Sequence, residues 1–185
     1  MNQFFPMTLF IKRQYLPLLL PVILLLFIAL PIAQAEVGEL RADVFEAKVL
    51  KVIDGDTIRL EDGRLVRYLG IDAPEVRKKV GGKWVFDPEP FSEAATALNK
   101  KLVEGRPVII QIDPQRPRDR FGRLLAYVFV ENEKKYFVNV ELLKQGLAKV
   151  KNMPLGTVHR VRFFSAEEVA WTDKRGVWSE NGNPE

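Results

Sequence analysis

Asp56, Arg67, Asp72 and Glu75 bring three carboxylates and one guanidinium into a short stretch, within V-I-D-G-D-T (52–57) and R-Y-L-G-I-D-A-P-E (67–75). Side chains of these types, set at the ends of neighbouring strands, can converge on one point. Each alone is unremarkable. The D-G-D could equally be a tight turn between two strands, since Asp and Gly are turn formers, and Asp62-Gly63 is the innocent version in the same chain. Asp54 is therefore assigned mainly to the turn, with a supporting role toward a bound ion as its further option.

The chemistry open to such a set is narrow. Zinc and the softer metals favour Cys and His, yet the chain has no cysteine and one histidine, His159. Carboxylate and carbonyl oxygens instead select a hard cation, calcium or magnesium. Two carboxylates and a backbone carbonyl would leave positions for water and a substrate oxygen, so the site is catalytic in type. The scarcity of histidine also removes the usual proton acceptor at neutral pH. A carboxylate has to serve, and Glu75 is the candidate to orient or deprotonate water.

The elements that must position these groups follow from pattern and punctuation. Between Val44 and Ile71 three β-branched runs are broken at Asp54-Gly55 and Asp62-Gly63, which predicts three strands joined by tight turns in which glycine takes up a positive φ. Val66–Ile71 is nearly continuous in apolar residues, as in a small closed barrel. Val76–Phe86 shows no period, holds Gly81-Gly82 and carries Arg77, Lys78, Lys79 and Lys83, so it reads as a mobile basic loop. Asp87-Pro88 looks like a helix start, with Phe91, Ala94, Ala95, Leu98 and Leu102 at helical spacing up to Gly105. Pro107–Asp113 and Arg123–Val130 are a fourth and a fifth strand around an arginine-laden loop, P-Q-R-P-R-D-R-F-G (114–122). Asn139–Gly146 reads as a short helix with Asn139 as its N-cap, and a last helix runs from Val158 to Lys174. Five strands with about three helices, one of them between the third and fourth strands, describe a mainly β fold of the OB-barrel type.

Composition bounds the rest. Residues 1–35 hold Lys12 and Arg13, no acid, an apolar stretch from Leu16 to Ala33 and then Ala33-Gln34-Ala35, the layout of an export signal cleaved after Ala35. An uncleaved membrane anchor is the alternative, because the apolar stretch is just long enough to span. The expected location is accordingly exported, periplasmic or extracellular, or else anchored and facing outward. Residues 36–180 suit one domain with a single core, and 181–185 read as a disordered tail. With no cysteine there is neither a disulfide framework nor a thiolate site. The chain has 28 Lys and Arg against 24 Asp and Glu, so attraction to polyanions has to come from local clusters.

These residues resemble the staphylococcal nuclease, or thermonuclease, family. The likeness lies in V-I-D-G-D-T-I-R-L (52–60), R-Y-L-G-I-D-A-P-E (67–75), D-R-F-G-R-L-L-A-Y (119–127), V-N-V-E-L-L-K-Q-G-L-A-K-V (138–150) and W-S-E (178–180). The resemblance implies an OB-fold barrel with three helices that hydrolyses DNA and RNA phosphodiesters with calcium. By it Asp56 and Asp72 would be calcium ligands, Ala73 would add its backbone carbonyl, Glu75 would activate water, and Arg67 and Arg123 would grip the phosphate. Single-stranded nucleic acid is the expected substrate and a monomer the expected state. Read by itself, Arg123 is a surface arginine opening a strand, and Arg116, Arg118 and Arg120 are solvated charges or weak phosphate contacts, as are Lys78, Lys79 and Lys83.

One departure from the family pattern matters. Family members carry base-stacking tyrosines just after G-L-A-K-V, but here that stretch is K-N-M-P-L (151–155). Trp84 and Phe86 are aromatic substitutes within reach, although burial is the more usual fate of such side chains; Trp171 and Trp178 read as packing for the C-terminal segment. The competing reading is an OB-type module that binds nucleic acid without cutting it. Against it stand the three acids, since carboxylates beside a phosphate only repel the ligand of a pure binder.

Overall fold

The computed structural model describes residues 43–131 and 136–180, so the expected export signal (1–35) and tail (181–185) lie outside the described residues. Its strands are β1 (Val44–Val52), β2 (Thr57–Leu60), β3 (Leu65–Tyr68), β4 (Ile71–Asp72), β5 (Arg77–Val80), β6 (Lys83–Phe86), β7 (Pro107–Ile112), β8 (Leu124–Val130), β9 (Tyr136–Phe137) and β10 (Lys149–Val150). The helices are α1 (Ser92–Val103), α2 (Val138–Lys144) and α3 (Arg160–Thr172), followed by one 3-10 turn at Gly176–Trp178.

A five-stranded barrel organises the described residues. β1 pairs antiparallel with β2 on one edge and with β7 on the other; β2 continues to β3, and β7 to β8. β3 and β8 then meet in parallel, Val66 opposite Leu124, and the cylinder is closed. A register shift between Val49 and Lys51 bends the long strand β1, the device by which a barrel turns its corner. Inside, Val49, Ile58, Leu60, Val66, Ile110, Ala126 and Val128 are fully buried. Closure leaves few free edges and fixes where each strand ends, and the candidate acids stand at those ends.

Several expectations need correction. Val76–Phe86 is not a loop: β5 and β6 form an antiparallel hairpin with Lys79 opposite Trp84. Gly81 and Gly82 supply the two consecutive positive φ values, 56° and 84°, that a two-residue turn between twisted strands requires. Trp84 and Phe86 on this hairpin are 68% and 63% exposed, and Trp171 is 65% exposed, so none of the three is a packing residue. Trp178 is half-buried, with the Lys149 ammonium 4.8 Å above its ring.

Helix α1 starts at Ser92, not at Asp87-Pro88, because the backbone N–H groups of Asp87 and Glu89 donate to the carbonyls of Val76 and Glu75 at 3.3 and 2.9 Å. Those bonds extend the hairpin ladder and hold the segment out of the helix. Nor does Val66–Ile71 run as one strand. It breaks at Gly70, whose φ of 78° turns the chain between β3 and β4. Gly55 does not adopt a positive φ, unlike Gly63 at 87°.

Asn139 is not the N-cap of α2; Phe137 occupies that position. Asn139 is wholly buried, donating from Nδ2 to the Leu69 carbonyl at 2.9 Å and accepting at Oδ1 from the Val128 N–H at 3.0 Å. It therefore laces α2 to β8 and to the connection after β3. Asn139→Ala should destabilise the fold by about 2–4 kcal/mol, since two buried backbone groups lose their partner. Urea denaturation measures it as a lower midpoint at unchanged slope.

Candidate functional site

The D-G-D turn is both a turn and a mount. Ile53 and Asp54 donate backbone N–H groups to the Thr57 carbonyl at 2.9 and 3.4 Å, and the Asp54 carboxylate accepts from the Asp56 N–H at 3.1 Å. Gly55 is needed for close approach: a Cβ there would lie 2.6 Å from the Ala73 Cβ and 2.8 Å from the Ala95 Cβ. Behind the turn, Asn99 of α1 donates to the Asp54 carbonyl at 3.0 Å and accepts from the Tyr68 hydroxyl at 2.7 Å. Burial raises the Tyr68 pKa far above that of a free phenol, so the hydroxyl remains a donor in this chain.

Asp56, held by this mount, is 1% exposed. Its carboxylate accepts from the Ala73 N–H at 2.8 Å and the Thr57 hydroxyl at 3.2 Å, and it is ion-paired with Arg67 Nη1. The other terminal nitrogen of Arg67 donates to Asp72 Oδ1 at 2.6 Å. One guanidinium on β3 thus joins two acids from different segments. Asp72 is further held by Lys151, whose ammonium is 2.6 Å from Oδ2. That lysine is brought in by the β4–β10 pairing, Asp72 opposite Lys149, and by its own N–H bond to the Gly70 carbonyl at 3.0 Å.

Glu75 lies at the foot of the hairpin. Its carboxyl is exposed by surface area, yet enough protein surrounds it that partial burial raises its pKa. The charges of Asp54, Asp72 and Glu89 push the same way, and Arg67 opposes them. Asp54 is raised too, by burial first, against the attraction of Arg67, hydrogen bonds from Thr57 and the attraction of Arg123. The Arg123 charge is therefore felt at the D-G-D turn. Its Nε donates to Asp119 at 2.7 Å, and Asp119 also accepts the N–H groups of Phe121 and Arg123 at 2.8 and 3.0 Å. Burial works to raise Asp119, but these bonds and the arginine hold it below the usual carboxylate range. Among the described residues the Nη atoms of Arg123 have no hydrogen-bond or ion-pair partner, and the guanidinium carbon is 5.6 Å from the centre of the Phe121 ring.

Asp56, Arg67, Asp72 and Ala73 are thus in direct contact, Glu75 is coupled to Arg67 and Asp72 through charge, and Arg123, paired with Asp119, is linked to the turn only by its charge on Asp54. Sequence reasoning missed Asp119, Asn99 and Lys151. Asp119 had a signal, an acid four residues before an arginine in a turn that ends in Gly122; Lys151 had none, since only the β4–β10 pairing brings it to Asp72.

The donor set fits a hard cation. Both carboxylates touch the same guanidinium, so their oxygens converge on one positive charge, and among the described residues nothing hydrogen-bonds to the Ala73 carbonyl oxygen. Among the described residues no group of three or more acidic, histidine or cysteine side chains is arranged to hold a metal, and the Ala73 carbonyl is an oxygen open to serve as a third donor. Such an all-oxygen, incomplete set suits calcium or magnesium and leaves room for water.

The chain is 37% identical over 136 residues to the SPbeta prophage-derived endonuclease YokF of Bacillus subtilis (strain 168), an overlap of 71% of this chain and 43% of that protein. Endonuclease YncB of the same organism is also 37% identical over 136 residues, 71% of this chain and 61% of its own length. The thermonuclease of Staphylococcus intermedius is 35% identical over 133 residues, 70% of this chain and 74% of the relative. The chain spans only about half the length of the two Bacillus proteins. A family model described as "Staphylococcal nuclease homologue" matches residues 65–180. That span holds Arg67, Asp72, Ala73, Glu75 and Arg123 together with all three helices, while Asp56 precedes it. By this match and these identities the chain belongs to the staphylococcal nuclease homologue family.

Proposed function

We propose that the protein is a calcium-dependent nuclease that hydrolyses phosphodiester bonds of single-stranded DNA or RNA. The observation that carries the reading is the meeting of the Asp56 and Asp72 carboxylates on one guanidinium, with Glu75 and Arg123 around them. A pure binding module has no use for that much negative charge beside a phosphate.

Asp56, Asp72 and the Ala73 carbonyl would hold the calcium ion, which supplies fixed positive charge for phosphate oxygens. With a cation bound, Asp56 and Asp72 would no longer depend on Arg67 and Lys151 for neutralisation, and Arg67 would be available to a phosphate, where its planar fork can donate to two oxygens at once. Arg123, held by Asp119 through its Nε, would be the second arginine to donate to the phosphate. As water attacks phosphorus, Glu75 accepts the proton the water loses, the bond to the leaving oxygen breaks, and that oxygen takes a proton from solvent. Negative charge builds on the phosphate oxygens during the attack, and each well-placed donor there contributes roughly 3 kcal/mol.

The test is cleavage of denatured DNA by the purified protein in calcium and in excess chelator. Acid-soluble release should fall to background in chelator and return when calcium is restored. Undiminished release in chelator would remove the ion from the reaction, and retention of the DNA without cleavage in calcium would favour the binding module.

A further inference from the structure

The β5–β6 hairpin belongs to neither the barrel nor the site, and among the described residues it pairs with no other sheet. All of its residues are exposed. Residues opposite each other in an antiparallel ladder lie on the same face. The observed register therefore sorts the side chains into two sets. Arg77 with Phe86 and Lys79 with Trp84 share one face; Lys78 with Val85 and Val80 with Lys83 share the other. On the first face each cation of β5 stands across the ladder from an aromatic of β6. Neither ring stacks on another aromatic or carries a cation of the described residues.

Two exposed aromatic rings beside cations are costly in water and useful against a polyanion with flat apolar groups. Residues two apart on a strand are about 6.8 Å from each other, roughly twice the ~3.4 Å rise per nucleotide of a stacked strand. Trp84 and Phe86 are thus spaced for one base between them or for two bases in succession. Hydrogen bonds from Asp87 to Val76 and from Glu89 to Glu75 carry the hairpin ladder down to the candidate water-activating residue. A strand lying along the arm is led to the phosphate site.

We propose that this hairpin is a docking arm for single-stranded nucleic acid, its bases stacking on Trp84 and Phe86 and its phosphates held by Arg77 and Lys79. The inference rests on the nuclease reading for the identity of the ligand. It also accounts for the absence of aromatics at 151–155: stacking surface is supplied from a different element.

The experiment uses the whole protein in chelator, where strands stay intact, and follows the anisotropy of a labelled oligodeoxynucleotide and of an abasic strand of equal length. The parent should prefer the strand with bases. In the Trp84→Ala/Phe86→Ala variant, affinity for that strand should fall about tenfold or more, while abasic binding stays as it was and the preference disappears. Both side chains are exposed, so the thermal midpoint should not move. Equal binding by parent and variant overturns the proposal, and so does a parent indifferent to bases. A third arm offers vesicles of phosphatidylglycerol; capture of the parent by vesicles but not by strands would assign the arm to a membrane surface and overturn it too. A parent that shows no cleavage in calcium yet loses base preference in the variant would sink the nuclease reading and leave the arm standing.

Discussion

Glu75→Gln is expected to lower kcat on denatured DNA by about 10²–10⁴-fold, the usual contribution of a positioned proton acceptor, with little change in affinity for an intact strand in chelator. The amide keeps the size of the carboxylate and cannot accept the water's proton. Among the described residues nothing hydrogen-bonds to the Glu75 side chain: the Glu89 carboxylate accepts from its backbone N–H, and its backbone carbonyl accepts from the Glu89 N–H. Removing its charge also relieves repulsion from Asp54, Asp72 and Glu89, so the fold should be no less stable. Loss confined to kcat identifies an interaction made only in the transition state. A kcat within tenfold of the parent would place water activation elsewhere, and a loss confined to KM would make Glu75 a binding residue.

The barrel was readable from the sequence because strand runs, D-G turns and the helix between the third and fourth strands are local signals that agree with one another. Asp56, Arg67, Asp72 and Glu75 were readable as a set because all sit at the ends of consecutive strands. What stayed hidden depends on contacts distant in sequence. Gly55 looked like a turn glycine, yet its reason is the pressure of Ala73 and Ala95, residues of two later segments. Asn139 looked like a cap because it precedes an apolar run, yet its side chain closes a gap between α2 and the barrel. Lys151 could be placed beside Asp72 only once β10 was known to pair with β4. The hairpin is a different case. Its Gly-Gly turn was a local signal, but four basic residues and no apolar alternation concealed strands that bury neither face.

Arg67→Ala should affect both stability and turnover, and the two effects have separate causes. The Arg67 side chain is 15% exposed and its partner Asp56 is 1% exposed. Without the guanidinium, Asp56 keeps, among the described residues, only the Ala73 N–H and the Thr57 hydroxyl, while Asp72 still has Lys151. The loss therefore falls on Asp56, and an uncompensated buried charge costs about 3–5 kcal/mol. Adding Asp56→Asn to the same chain should recover much of that loss, because no charge is then left stranded. Calcium should also raise the thermal midpoint of Arg67→Ala more than that of the parent, since in the parent the two carboxylates are already neutralised by the arginine and the ion has to displace it. Turnover should fall by about a hundredfold or more for want of one phosphate donor, and calcium should not restore it. Urea denaturation with and without calcium, beside single-turnover cleavage, separates the two. A stability loss below about 1 kcal/mol, the range of an exposed pair, would show that the Asp56–Arg67 contact does not hold the site together.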